Sequence, residues 1–141
     1  MEIIEVNQVT DELIESIAKL LPQLTKKPIP SRETITDIVA CPTTILLSAS
    51  ENGSIIGMLT LVLYRTPSAL RSRIEDVVVD EQSRGKGIGQ ALVRYAINIA
   101  RDKKAFNVDL TSEPNRKSAH KLYENIGFKK HETNVYRYIL G

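Results

Sequence analysis

The sequence predicts a mixed α/β domain (α+β in its element order): one central mixed sheet of about six to seven strands flanked by about four helices. Three observations carry this. Asn52–Gly53 separates two apolar-rich runs, the strongest two-residue hairpin signal. A Val77–Val78–Val79 run, an amphipathic helical stripe and a further apolar run then follow in the order of a parallel crossover. The 141 residues, 42% hydrophobic and 26% charged, match one ordinary globular domain spanning 1–141.

Glu2–Val6 reads as a short strand. Asp11 is placed to cap a first helix, in which Leu13, Ile14, Ile17, Leu20 and Leu21 fall at helical spacing until Pro22. After Pro28–Ile29–Pro30, Ser31 and Thr34 open a second helix, with Ile35, Ile38 and Val39 on one face, ending before Pro42. Thr44–Ser50 and Ser54–Tyr64 are the hairpin strands, and Thr66–Ser72, which contains Pro67, reads as a loop. Arg73–Asp80 is a strand buried on both faces, and a helix beginning near Gly87 buries Ile88, Ala91, Leu92, Tyr95, Ala96 and Ile99. Phe106–Thr111 is the next strand and Asn115–Asn125 the last helix, with Gly127 as its C-cap. Phe128–Glu132 and Val135–Leu140 read as a closing antiparallel pair.

Composition excludes several roles. Lys plus Arg is 19 against 17 for Asp plus Glu, a net charge of +2, which speaks against a dedicated nucleic-acid binder. With no Trp and two Phe, few platforms exist for stacking bases. The lone Cys41 forms no internal disulfide, and no apolar run reaches the length of a membrane span. The opening MEIIEVNQVTDE is acidic and lacks the order of a secretory signal, so cytoplasmic residence is expected. His, Cys and carboxylates are nowhere spaced as metal ligands, so no metal is expected.

Chemistry concentrates in Arg84–Gly85–Lys86–Gly87–Ile88–Gly89–Gln90, between a buried strand and an amphipathic helix. Backbone without Cβ atoms admits a close ligand, and the first amides of a helix have no internal partner and sit at its positive dipole end. The expected ligand is a phosphate or pyrophosphate, with Arg84 and Lys86 adding charge at the rim. The spacing fits neither a Walker loop nor the dinucleotide fingerprint.

Arg84-x-x-Gly87-x-Gly89 after a Val-rich strand resembles the acetyl-CoA signature of the GNAT superfamily of N-acyltransferases. Ala119-x-x-x-Tyr123-Glu124-x-x-Gly127-Phe128 is similar to that superfamily's downstream motif, and the element order matches over nearly the whole chain. The resemblance implies a GNAT-like fold, acetyl-CoA as acyl donor and a primary amine as acceptor. It places the pyrophosphate on the amides from Gly85 to Gln90 and the pantetheine arm along Val77, Val78 and Val79, between splayed strands. Where superfamily members commonly carry a cofactor-contacting Asn, this chain has Arg116, preceded by Asn115. Tyr123 corresponds to the Tyr that protonates the leaving thiolate; its ordinary pKa of ~10 keeps it protonated at neutral pH.

Glu75 is the candidate base, with a strand-edge carboxylate paired to Arg73 as the bland alternative. Asp76 is next in line, because a bulge would exchange which of the two faces the cleft. Ile74–Glu75–Asp76–Val77 also resembles the corresponding strand of glucosamine-6-phosphate N-acetyltransferases, which points to an amino sugar phosphate whose phosphate Arg71 and Arg73 would meet. The stretch Asp109–Pro114 departs from that pattern, so a small-molecule amine and a peptide amine both stay open. A CoA-binding sensor without turnover and a cofactor-free adaptor are the rival classes. Dimers are common in the superfamily, so a homodimer stands as an open alternative to a monomer.

Overall fold

In a computed structural model describing residues 1–141, five strands form one sheet in chain order: β1 (Glu2–Glu5), β2 (Thr44–Glu51), β3 (Ser54–Arg65), β4 (Leu70–Val79) and β5 (Val108–Asp109). The first four are antiparallel neighbours, and β5 runs parallel to β4 as the crossover pattern requires. The β2–β3 hairpin turns at Asn52 and Gly53, whose φ angles of 52° and 81° match the twist of the flanking strands. In the β3–β4 ladder Thr60 faces Glu75 and Met58 faces Val78, so Leu59 alone opposes both Asp76 and Val77. That is a β-bulge, and Asp76 takes its left-handed conformation at φ 52°.

The bulge sets which side chains share a face. Residues opposite one another point the same way, so Glu75, Arg73 and Arg71 lie with Thr60, Val62 and Tyr64, and Val78 lies with Met58. This face carries α1 (Asp11–Leu20) and α2 (Arg32–Ala40), whose Leu13, Ile17, Leu20 and Ile35 pack with Leu46, Met58 and Val78. The other face carries α3 (Ile88–Asp102), which buries Ile88, Leu92, Val93, Ala96 and Ala100. Its start lies close over Gly57, where an added Cβ would stand 3.2 Å from Leu92 Cδ1 and 3.3 Å from Ile88 Cγ2. Thr10 starts α1 by accepting from the Leu13 amide, and Ser31 starts α2 by accepting from that of Thr34.

By backbone contacts the chain divides into two compact units, Met1–Thr111 and Ser112–Gly141. The first holds the sheet and α1–α3. The second holds α4 (Lys117–Ile126), which ends at Gly127 with φ 124°.

Several expectations change. The sheet has five strands rather than six to seven, because neither Phe128–Glu132 nor Val135–Leu140 forms a strand. Tyr136, Tyr138 and Leu140 are exposed instead. Alternation of apolar and polar residues reports a strand's two faces, but not whether an edge is there to receive it. The expected Phe106–Thr111 strand shortens to Val108–Asp109 for the same reason: its only ladder partners are Ser72 and Arg73. Conversely Leu70–Ser72 is strand, because the Thr66–Ala69 turn closes on itself through Thr66 N–H to Ala69 O (2.9 Å). Thr10, not Asp11, caps α1, and Asp11 becomes a first-turn acid suited to the helix dipole. On α3 the buried stripe rotates toward Val93 and Ala100, leaving Tyr95 exposed.

Candidate active site

The strand-to-helix loop is anchored before it is open. Asp80, the residue after β4, donates its amide to Ile56 O (2.8 Å) and accepts from the Gln82 amide through Oδ1 (3.3 Å). Its Oδ2 meets Lys19 Nζ of α1 at 3.2 Å. Burial pushes the Asp80 carboxyl up, but the Gln82 amide and the Lys19 ammonium outweigh it and hold the group below the ordinary carboxylate range. Gln23 Oε1 accepts from the Glu81 amide (2.9 Å), so a second side chain from the α1 end fixes the same turn. Arg84 is not only a rim charge: its Nε donates to Val79 O at 3.1 Å, folding the loop's first residue back on the strand.

Beyond that anchor the backbone is free. No main-chain amide from Arg84 to Gln90 donates to a main-chain acceptor, and the helical ladder resumes with Ala91 N–H to Gly87 O. Gly87 is the N-cap of α3 in the left-handed conformation (φ 79°, ψ 13°), and no side chain caps the helix. A Cβ added at Gly87 would meet no protein atom within 4 Å. The loop thus presents a row of unsatisfied donors at a helix N-terminus with vacant space above, which fits an anionic group such as a diphosphate. Gly85, Lys86 and Gly87 are exposed, while Ile88 is buried as the helix's first anchor.

The strand leading into this loop has an open edge. β5 pairs with β4 only at Ser72 and Arg73, so from Ile74 onward the outer edge of β4 has no strand partner. Asp80 N–H points to β3, and by alternation Val79 and Val77 direct their backbone groups off the other edge. Val78 does otherwise. Its side chain is core and its backbone faces β3, so of the three valines it is the anchor.

Glu75 lies half-buried on the α1–α2 face, with Oε1 accepting from Arg73 Nε at 3.0 Å. The ion pair set beside the catalytic reading is therefore present. Asp76 does not replace Glu75 on that face: it is the bulge residue and is exposed.

In the second unit, Tyr123 is half-buried on α4, edge-on to Phe128 at 5.9 Å and 65°. Burial pushes its phenol above the ordinary value, against the opposing pull of the Arg116 guanidinium. Arg116 is the N-cap residue of α4 and, like Asn115, is exposed. A surface groove of about 570 Å³ lined by Glu5, Tyr95, Asn98, Ile99, Asp102 and Lys103 touches none of these residues. No group of His, Cys, Asp or Glu side chains is placed to hold a metal, and no helix is long and apolar enough to cross a membrane.

Sequence reasoning missed Lys19, Gln23 and Asp80. Asp80 had a local signal, an Asp directly before the polar turn Glu81–Ser83; its partners on α1 are distant in sequence and had none.

A model of the acetyltransferase (GNAT) family matches residues 12–128. The chain is 34% identical over 86 residues to a glucosamine 6-phosphate N-acetyltransferase of Trypanosoma brucei brucei, covering 59% of this chain and 56% of that protein. It is 32% identical over 84 residues to N-acetyltransferase family 8 member 2 of Rattus norvegicus, covering 58% of this chain and 37% of that one. The chain thus spans about a third to somewhat over half of the length of these relatives. Among solved structures, an acetyltransferase of Trypanosoma brucei superposes with a TM-score of 0.80 at 27% identity, covering 98% of this chain and 99% of the other. A putative acetyltransferase from Agrobacterium tumefaciens superposes at 0.84 with 22% identity over 99% and 100%, a likeness of fold.

Proposed function

Since the chain belongs to the acetyltransferase (GNAT) family and is an acyltransferase by that membership, we propose that it moves the acetyl group of acetyl-CoA directly onto a primary amine of a small molecule or peptide. The observation that carries this reading is the run of unpartnered amides from Arg84 to Gln90, capped by left-handed Gly87 and reached along the open edge of β4. Gly85 to Gln90 would receive the diphosphate with Arg84 and Lys86 beside it, and the outward backbone of Val77 and the Val79 amide would guide the pantetheine arm, the Val79 carbonyl being held by Arg84 Nε. Asn115 and Arg116, directly before the downstream motif, would contact the cofactor. All of residues 1–141 are taken to serve this one activity as a single N-acetyltransferase domain.

Acetyl-CoA supplies an acyl carbon already activated as a thioester. The chain must supply proton management, because the acceptor arrives as an ammonium and the departing sulfur as a thiolate. Glu75 takes a proton from the acceptor nitrogen, the C–N bond forms as the C–S bond breaks, and Tyr123 donates its proton to the sulfur. Of the two protons leaving nitrogen, one is thereby balanced by the thiol and one is released to water. A phenol raised by burial stays protonated at neutral pH, as a donor must.

The relative named for glucosamine 6-phosphate supports an amino sugar phosphate among the acceptors to be tried first. The reading takes no metal, no nucleic acid and no membrane as partner, a cytoplasmic setting, and a homodimer as an open arrangement. Calorimetry with CoA, followed by thiol release from acetyl-CoA across amino sugars, polyamines, amino acids, aminoglycosides and peptides, tests it. Thiol release dependent on one amine class supports transfer. Heat without release would instead make the chain a CoA-binding sensor, and no heat at all would leave an adaptor on the same scaffold.

A further inference from the structure

We propose that the acceptor amine carries a phosphate monoester, and that this phosphate draws Arg73 away from Glu75, so that acceptor binding itself releases the carboxylate that deprotonates it. The inference rests on the N-acetyltransferase reading and specifies its acceptor side. Arg71, Arg73 and Glu75 alternate along β4 on the α1–α2 face, opposite Tyr64, Val62 and Thr60. On this face Met58 and Val78 are closed over by the helices, whereas Thr60, Val62, Arg71, Arg73 and Glu75 are only half-buried. The sheet therefore offers a shelf beyond the end of the core, with two guanidinium groups and one carboxylate on it.

The resting pairing on that shelf is weak and incomplete. Arg73 and Glu75 meet at 3.0 Å with side chains 33% and 45% exposed, and Arg71 is in no ion pair. A pair this wet holds its partners by only a factor of a few. A phosphate monoester brings nearly two negative charges and three strong acceptor oxygens, and guanidinium binds it through two parallel hydrogen bonds. Arg71 and Arg73, two residues apart on one strand, have Cα atoms roughly 6.6 Å apart, close enough for both side chains to reach one phosphate.

Charge favours the exchange. Two guanidiniums and one carboxylate sum to a single positive charge, which an amine bearing a phosphate dianion neutralises. While Arg73 holds it, Oε1 of Glu75 is occupied by the guanidinium at 3.0 Å and is not open to the acceptor nitrogen. Once the phosphate takes the guanidinium, the carboxylate is free as the acceptor's ammonium arrives, and one proton passes from nitrogen to the Glu75 oxygen.

Matched acceptors test this on the full chain with acetyl-CoA, by initial rates of thiol release: ethanolamine, phosphoethanolamine and β-alanine, then glucosamine and glucosamine 6-phosphate. The phosphorylated member of each pair is expected to show kcat/KM about 10- to 100-fold higher, mostly through KM. Arg73→Gln brings that ratio to within about threefold of one, Arg73→Lys keeps part of it, and inorganic phosphate competes with the acceptor in the wild type but not in Arg73→Gln. A ratio that survives in both variants would overturn the proposal, as would β-alanine outperforming phosphoethanolamine, which would hand the shelf to carboxylates. Turnover of amines with no preference for phosphate overturns this inference alone. No turnover with any amine overturns the transferase reading and this one with it.

Discussion

Gly87→Ala and Gly87→Val separate the two jobs that residue holds. At φ 79° any side chain pays for the left-handed conformation, about 1–2 kcal/mol, and more for a branched one. No protein atom lies within 4 Å of an added Cβ, so there is no clash on top of that strain. With an unfolding entropy of roughly 0.3 kcal/mol/K for 141 residues, the free protein should melt only about 3–7 °C lower. The coenzyme meets a different situation, because the vacant space above Gly87 is where the diphosphate would rest. A methyl group there should weaken CoA binding by at least about tenfold, and an isopropyl group by more than about a hundredfold, since each charge-assisted hydrogen bond lost from the amide row contributes about 1.5–3 kcal/mol. Thermal melting without ligand, and calorimetry with CoA, read the two effects apart. Gly87→Val that is folded and binds CoA with wild-type affinity would refute the assignment of this loop. A collapse of the free protein would refute the claim that the space is empty.

Three further outcomes follow from the same geometry. Tyr123→Phe should keep CoA affinity and lower turnover about 10²- to 10⁴-fold, measured as steady-state thiol release; unchanged turnover removes the phenol from the reaction. Asp80 has a lowered native pKa, so its contribution to stability is full above the unfolded value near ~3.9 and disappears as pH falls through the native one. Lys19→Met should therefore cost about 1 kcal/mol at neutral pH by urea melting and shrink the loss on acidification; an unaltered pH profile would mean the pair is idle. Cys41 has its thiol pulled down to about 7, first by the Thr43 hydroxyl and then by that of Thr44, so iodoacetamide labelling should rise steeply between about pH 6 and 8. Thr43→Ala should move that rise upward, and labelling with the profile of a free thiol in the wild type would contradict it.

The elements legible in the sequence are those whose signals are local. Asn52–Gly53 carries its turn in its own backbone preferences, Ser31 finds its acceptor role three residues on, and the Gly-rich loop sits where a strand run meets a helix stripe. What failed depends on distant partners. The apolar alternation in Val135–Leu140 needs an edge, and β5 shows how little ladder forms beside β4. Lys19, Gln23 and Asp80 are brought together only because α1 crosses to the end of β4, which no spacing within either segment encodes. The Arg73–Glu75 pair was legible as an alternative, because residues two apart on a strand share a face.

The bulge at Asp76 ties these parts together, and its deletion is the sharpest test of what it does. A strand counted strictly by twos would group Val77 with Arg71, Arg73 and Glu75; the extra residue instead returns Val78 to that face, opposite Met58. Removing Asp76 leaves Glu75 facing Thr60 and Val78 facing Met58, with Val77 directly opposite Leu59. The core and the grouping of Arg71, Arg73 and Glu75 thus survive, while a φ of 52° and an unpaired ladder position are lost. Stability should hold or rise by up to about 1 kcal/mol. The bend that a bulge imposes on β4 would be lost with it, and the outer edge from Ile74 to Val79 would straighten. If that bend is what keeps the edge open for the pantetheine arm, the deletion variant should melt no lower than the wild type and yet show at least tenfold weaker CoA binding by calorimetry. Wild-type affinity in a well-folded deletion variant would mean that the open edge owes nothing to Asp76.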